Sequence, residues 1–232
     1  MSRRMLSYAA AIVVAALPAV GRAQVGHDPA ASPYKDIEHS QELTLFAGYL
    51  QSGKDPAGVA WRGGPMAGAR YDIHLAGPAY FYGRAAGVQS KRTIIDPKEP
   101  EATRVIGDRT GTLLLADLGL SLSLTGHKSW RGVAPMLSGG GGMIADFRGT
   151  DIGGYRFGTP FALSFGGGLR WVPGGRVQGR VDYTDFLYRV AYPEGFYRST
   201  EEVPAFLGTS VARSRWTHNG AITVSLSYVF GR

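Results

Sequence analysis

The residues best suited to hydrolytic chemistry are His127 and Ser129, with Asp117 as a distant carboxylate. A hydroxyl, an imidazole and a carboxylate can act as nucleophile, base and orienting acid, provided that all three meet in a fixed geometry. Nothing in the spacing fixes such a geometry, because His127 and Ser129 lie in a predicted turn between two strands. The sequence therefore predicts no catalytic residue and no enzyme activity.

The histidines and the glycine runs predict no ligand site. The five histidines show no close pair at metal-ligand spacing, and the absence of cysteine excludes thiolate metal sites and disulfides. Gly139 to Gly142 and Gly166 to Gly168 lead into no helix and are followed by no Lys-Ser/Thr, so we expect them to bend and pack strands. We expect no metal and no cofactor.

The first 23 residues, Met1 to Ala23, have the three parts of a secretory signal peptide. Two arginines precede an apolar run from Tyr8 to Val20, and small residues flank an expected cleavage site. The apolar run is shorter than the ~20 residues that span a bilayer as a helix. After cleavage only a small excess of basic residues remains, and it is scattered, so we expect no nucleic-acid partner.

Alternation of apolar and polar residues predicts strands along most of the remaining chain. Residues 24–41 are polar and contain two prolines, and we predict a flexible N-terminal segment there. The clearest strand follows Thr110, where leucines on one face alternate with Asp117, Gly119 and serines on the other. The predicted strands are 42–51, 66–76, 79–90, 110–124, 133–147, 161–172, 176–190 and 216–230.

The connections between these strands alternate in length. Residues 52–65, 91–109, 148–160 and 191–215 form long connections, and shorter ones lie between them. Transmembrane barrels show this asymmetry, with short periplasmic turns and long extracellular loops, and closure removes the sheet edges that lipid cannot satisfy. The sequence therefore predicts an all-β fold over 42–232, an eight-stranded antiparallel transmembrane β-barrel with up-and-down topology.

Three segments carry a family resemblance. Pro135 to Gly142, Phe165 to Trp171 and Val181 to Phe186 resemble the fifth to seventh strands of OmpA-like and OmpX-like eight-stranded outer-membrane barrels. The resemblance covers most of residues 42–230, although the aromatic residue that commonly ends the family, here Phe230, is followed by two more residues. It implies an outer-membrane protein, inserted by the barrel-insertion machinery and in contact with outer-membrane lipid, with a structural or surface-interaction role.

Several charged side chains fall on the face predicted to line the lumen. The interior of an eight-stranded barrel is just wide enough for side chains to fill, so we expect a hydrogen-bonded ionic plug. A narrow ion-conducting pore is the alternative. The predicted interior polar residues are Asp72, His74, Asp117, Arg170, Arg180 and Asp182.

Aromatic residues near the predicted strand ends indicate girdles at the two membrane interfaces. The predicted interfacial residues are Trp61, Trp130, Trp171, Trp216, Tyr228 and Phe230, and Tyr80, Tyr82, Tyr183 and Tyr188 are placed in the same way. The long loops could bind an extracellular ligand, since the second carries many charges of both signs and the fourth adds several aromatic residues. Those aromatic residues are Tyr192, Phe196, Tyr197 and Phe206.

Two further functions stay open at this point. If the apolar faces turned inward, the chain would be a secreted, soluble lipocalin-like barrel that binds a small apolar ligand. His127 and Ser129 also resemble part of the His-Ser-Glu arrangement of barrel-embedded lipid A deacylases. Both residues lie at the predicted periplasmic end, however, and such a hydrolase needs its nucleophile at the outer leaflet.

Overall fold

The computed structural model describes residues 32–201 and 203–231, and these form strands joined by turns and loops. The strands are β1 Tyr34–Asp36, β2 Gln41–Gln51, β3 Gly64–Ala76, β4 Ala79–Ile95, β5 Val105–Ser123, β6 Lys128–Trp130, β7 Val133–Ala145, β8 Phe161–Trp171, β9 Val177–Ala191 and β10 Ser214–Phe230. A short 3₁₀ helix spans Glu194–Tyr197. In this part of the chain, no helix is long and apolar enough to cross a membrane.

Eight of these strands, β2 to β5 and β7 to β10, close into a barrel. Each pairs antiparallel with the next barrel strand along the chain, β5 with β7 included, and β2 pairs with β10 to complete the ring. The closing ladder runs from Gln41 opposite Phe230 to Gln51 opposite Gly220. The predicted fold, a closed eight-stranded antiparallel β-barrel with up-and-down topology, is confirmed.

The alternation along each strand places apolar side chains outside and polar ones inside. Leu226, Leu45 and Val224 are 68%, 65% and 62% exposed, whereas the neighbouring Ser225 and Thr44 are buried. A continuous apolar exterior is favourable against lipid and unfavourable against water. The lipocalin-like alternative, which needs the apolar faces inside, is therefore wrong.

The pair β4 and β5 is longer than the sequence predicted. Lys91 to Ile95 and Val105 to Thr110 continue the ladder as a two-stranded ribbon beyond the barrel, so the predicted loop 91–109 shrinks to residues 96–104. The sequence signal is weak because charged residues lie on both faces, as do the consecutive Lys91 and Arg92 on β4 and Asp108 and Arg109 on β5. Outside the bilayer, neither face of a ribbon has to be apolar, so the alternation that marks the other strands is missing.

The N-terminal segment is ordered over the part that the structure describes. We predicted flexibility for residues 24–41, but Tyr34–Asp36 pair with Lys128–Trp130, and the Ile37 backbone N–H donates to the His127 carbonyl at 3.0 Å. Ile37 is buried beneath the barrel. The predicted signal peptide, Met1 to Ala23, lies outside the described residues and stays a prediction.

Glycines on β7 allow a bulky side chain to fill the narrow interior. A β-carbon at Gly140 would lie 2.6 Å from the Tyr82 hydroxyl oxygen and closer still to the Leu118 carbonyl oxygen. At the adjacent Gly139, the nearest heavy atom to such a β-carbon, the Ser164 carbonyl oxygen, is 3.9 Å away. Only Gly140 of these two glycines therefore excludes a side chain on steric grounds.

We expect Gly140→Ala to lower the free energy of unfolding by about 1–3 kcal/mol, because the added methyl group displaces Tyr82 or the β5 backbone. Gly139→Ala is the matched control, since its methyl group meets open space. Urea unfolding in lipid vesicles, followed by tryptophan fluorescence, measures both variants. Equal unfolding midpoints for the two variants would contradict the steric explanation.

Candidate functional site

The barrel has two different ends, which we name by their connections. The terminus end carries the connections 77–78, 124–132, which includes β6, and 172–176, and the loop end carries the connections 52–63, 96–104, 146–160 and 192–213. Inside, polar residues occupy the part toward the terminus end, and apolar residues occupy the part toward the loop end. Each half has its own candidate role.

Four arginine–carboxylate pairs fill the polar half of the interior. Their N–O distances are 2.7–3.0 Å and their side chains are 1–13% exposed. The pairs are Arg70–Asp72 within β3, Arg84–Asp117 across β4 and β5, Arg170–Glu42 between β8 and β2, and Arg180–Asp182 within β9. Four positive charges meet four negative ones, so the network itself has no net charge.

Further contacts join these pairs to each other. Arg180 Nη1 lies 3.9 Å from Asp72 Oδ2, which links the β9 pair to the β3 pair. The Arg70 guanidinium stacks 3.9 Å above the Tyr82 ring, and the Tyr82 hydroxyl donates to Asp117 at 3.2 Å. Buried charges are costly unless they are paired and hydrogen-bonded, and these contacts supply much of that compensation, although Arg180 Nη1 and Nη2 have no hydrogen-bond partner.

The structure brings together most of the predicted interior polar residues. Asp72, Asp117, Arg170 and Arg180 are buried in the network, and Asp182 pairs with Arg180 at its edge. Sequence reasoning missed Glu42, Arg70 and Arg84, together with the inward position of Tyr80, Tyr82 and Tyr188. A signal was present, because Arg70 shares the face of Asp72 and Glu42 shares the face of Thr44.

His74 lies apart from this network, at the terminus end of β3. Its ring stacks on that of His127 with centroids 3.8 Å apart, although the two residues do not stand at metal-ligand spacing in the sequence. The turn 124–132 folds beneath β3, a proximity that sequence spacing does not reveal. Burial and the neighbouring His74 lower the pKa of His127, which keeps its ring neutral near pH 7. Among the described residues, no three metal-ligating side chains cluster.

The three residues considered for hydrolysis are not assembled into a triad. Asp117 accepts hydrogen bonds from Arg84 and Tyr82 in the interior. His127 Nδ1 lies 2.9 Å from the Tyr80 hydroxyl, and Ser129 Oγ lies 3.5 Å from the Lys35 carbonyl oxygen. Each candidate group is therefore engaged by a different partner.

The apolar half of the interior continues into the long loops. Phe46, Leu50, Val88, Leu113 and Leu115 project inward from the strands, and residues from three loops cover them. The covering residues include Val59, Trp61, Tyr155, Phe196 and Leu207. The loops thus fold as one apolar assembly at the barrel mouth, which we call the loop assembly.

Trp61 was predicted to lie at a membrane interface, and this is wrong. It is 1% exposed, and its Nε1 donates to Asp146 Oδ2 at 3.0 Å. The guanidiniums of Arg92 and Arg148 both lie 5.6 Å from its ring. The indole therefore joins loop 52–63 to loop 146–160, a role that its sequence position near a strand end does not reveal.

Two carboxylates, that of the half-buried Asp55 and that of the buried Asp151 side chain, hold the loop assembly in place. Asp55 accepts backbone hydrogen bonds from Ala57 at 3.1 Å and Ala60 at 2.6 Å, and it also accepts the Tyr192 hydroxyl. Asp151 pairs with Arg92 at 2.7 Å, with both side chains 2% exposed. Burial, with the nearby Asp55 carboxylate, raises the pKa of the Tyr192 hydroxyl, so this hydroxyl remains a donor.

The other predicted interfacial aromatics lie on the outer surface. Trp130, Trp171, Tyr228 and Phe230 lie at the terminus end, whereas Trp216 lies toward the loop end. Phe230 stacks with Tyr71 and Tyr228 at centroid distances of 6.2 Å and 6.3 Å. Of the aromatics in the fourth long loop, Tyr192 and Phe196 are buried, which removes them as exposed binding residues.

We expect Asp72→Asn to lower the free energy of unfolding by about 3–5 kcal/mol, because Arg70 and Arg180 lose their shared buried carboxylate. Asp36→Asn is the control, since Asp36 forms an exposed pair with Lys128 and should change stability little. Urea titration in lipid vesicles measures both. If Asp72→Asn lowered the free energy of unfolding no more than Asp36→Asn does, the ionic network would contribute little to stability.

No protein-family model and no curated protein matches the chain. Among solved structures, Neisserial surface protein A is 9% identical with a TM-score of 0.48, over 82% of this chain and 97% of that chain. The outer membrane protein OprG from Pseudomonas aeruginosa is 9% identical with a TM-score of 0.48, over 84% of this chain and 98% of that chain. Ail, the attachment invasion locus protein of Yersinia pestis, was solved with the heparin analogue sucrose octasulfate. It is 14% identical with a TM-score of 0.38, over 82% of this chain and 99% of that chain. The assignment of this chain to the eight-stranded barrel fold rests on its own strand pairing.

Proposed function

We propose that this chain is a non-enzymatic outer-membrane protein that presents the loop assembly at the cell surface for interaction with an extracellular partner. The observation that carries the proposal is the continuity between loops and barrel. Trp61, Tyr155 and Phe196 are buried in the same apolar core as the inward strand residues. Loops that pack on the core of the barrel present a defined surface, and such a surface is suited to recognition.

The arrangement of the interior favours a structural role for the barrel over transport. The neutral ionic network fills one half, and the apolar core that the loops cover fills the other. An ion crossing this space would have to break buried pairs and then enter an apolar region, and both steps are costly. This supports the plug and disfavours the narrow pore.

Exposed apolar side chains on the loop side of the molecule supply a contact surface for a partner. Val105 and Ile106 on the β4–β5 ribbon, with Phe147 and Ile152 in loop 146–160, are 53–78% exposed. These four residues lie beyond the barrel wall, where the apolar exterior required by lipid no longer explains them. Exposed apolar groups of this kind mark interaction surfaces.

The purified protein in a planar bilayer is expected to give no persistent current, because paired charges fill the interior. Arg180→Ala removes the side chain that pairs with Asp182 and approaches Asp72, and small, irregular current steps are expected from this variant. Single-channel recording at fixed salt and voltage compares the two proteins. A steady large conductance in the unmutated protein would contradict the plug and support the pore.

The surface location is testable because the chain contains no cysteine. We expect Ile106→Cys to react with a membrane-impermeant maleimide in intact cells, since the ribbon tip would lie outside. Gly175→Cys, in a turn at the terminus end, is the matched control and should react only after cell lysis. Labelling of Gly175→Cys alone in intact cells would reverse the orientation, and release of the protein by a salt wash would overturn the membrane assignment.

A further inference from the structure

A depression of about 560 Å³ lies on the outer surface where β8, β9 and β10 reach the loop end. Its lining includes Phe161, Arg189 and Trp216 from these strands, and Arg156 and Pro160 from loop 146–160. Trp216 lies directly opposite Arg189 in the β9–β10 ladder, so both side chains project from the same outer face. The depression therefore opens on the barrel exterior, and Tyr155 of the loop assembly forms part of its inner wall.

The depression carries positive charge with no carboxylate in its lining. Three other arginines at the loop end, Arg62, Arg92 and Arg198, each pair with a carboxylate. Arg189 instead donates through Nε to the neutral Ser214 hydroxyl at 2.8 Å. This bond orients the guanidinium and leaves its charge uncompensated.

The carboxylate on the same outer face of β9 does not cancel this charge. Asp185 accepts the Asn219 backbone N–H at 2.8 Å, and its other oxygen lies 2.6 Å from His218 Nδ1. Both of its oxygens are therefore occupied by neighbours on β10. The guanidiniums of Arg156 and Arg189 remain available to an anion from outside the chain.

The side of the depression that faces the terminus end is apolar. Phe161 and Trp216 are 58% and 49% exposed, and Leu163, the next outward residue on β8, pairs with Leu187 on β9. These side chains begin the apolar exterior of the barrel. Two arginines thus border the apolar exterior beside an exposed tryptophan, and in a barrel that spans a bilayer tryptophan is enriched where lipid headgroups meet hydrocarbon.

We propose that this depression binds a membrane lipid with a phosphate headgroup, with the phosphate between Arg156 and Arg189 and an acyl chain along Phe161 and Leu163. Arginine suits phosphate because its planar guanidinium can donate two parallel hydrogen bonds. A free phosphate ion would use the arginines but not the apolar rings. The inference rests on the proposed membrane location, since the acyl chain needs a bilayer beside it.

The test is native mass spectrometry of the purified protein in non-ionic detergent, titrated with dipalmitoyl phosphatidic acid. We expect the Arg156→Gln/Arg189→Gln double variant to bind this lipid at least roughly tenfold more weakly than the unmutated protein. The Arg109→Gln/Arg198→Gln double variant removes the same charge from the same end and should bind as the unmutated protein does. Heat-dependent gel migration of each variant reports separately whether the barrel is folded.

Each result decides between sources of the ligand. If the two double variants bound phosphatidic acid equally well, or if both lost the same amount of binding, the proposed site would be overturned. Such a result would indicate general attraction of the lipid to positive charge. Dipalmitoylglycerol, which has the same chains without phosphate, should bind much more weakly, and equal binding would reduce the site to an apolar groove. Competition by millimolar inorganic phosphate as strong as that by the lipid would overturn the lipid assignment in favour of a free anion. Barrels that fold and insert but lack lipid binding would refute this inference alone and leave the proposed function intact.

Discussion

The structure depends on one constraint, which is that no backbone polar group in a membrane can rely on water for a hydrogen bond. The pairing of β2 with β10 meets this constraint, because it converts an open sheet into a ring without edges. Closure with eight strands then fixes a narrow interior, and the contents of that interior follow from its width. Side chains must fill it, and those that carry charge must find partners inside. The four neutral pairs are thus a consequence of closure at this strand number.

The division of the interior into a polar and an apolar half follows from what each half contacts. Toward the terminus end, strand residues such as Arg70 and Asp72 satisfy each other. Toward the loop end, inward residues such as Leu50 and Leu113 need an apolar partner, and the loops supply it through Trp61 and Phe196. The loops are therefore not independent appendages, since their folding completes the core of the barrel. This dependence explains why polar anchors such as Asp55 and Asp151 lie in them.

Features that follow from an apolar exterior, such as which residues face outward, could be predicted from the sequence. The extent of the ribbon and the contacts between distant segments could not. Lipid demands strict alternation, so Leu118 and Asp117 could be assigned to opposite faces without a structure. The ribbon beyond β4 is free of that demand, and its extent was missed because Arg92 and Arg109 carry no alternation signal. Contacts between distant segments were also missed. Neither the stacking of His74 on His127 nor the burial of Trp61 leaves a trace in local spacing. The orientation of the molecule and the extracellular partner stay predictions.

The ribbon formed by β4 and β5 has a mechanical consequence. Its two strands are joined by ladder hydrogen bonds from the barrel wall out to Ile95 and Val105, and Arg92 ties it to loop 146–160 through Asp151. A force applied to the ribbon tip would act on a continuous hydrogen-bonded ladder and on the buried Arg92–Asp151 ion pair, and not on a flexible loop. If the ribbon binds the proposed extracellular partner, tension on that contact would pass through this ladder into the barrel wall.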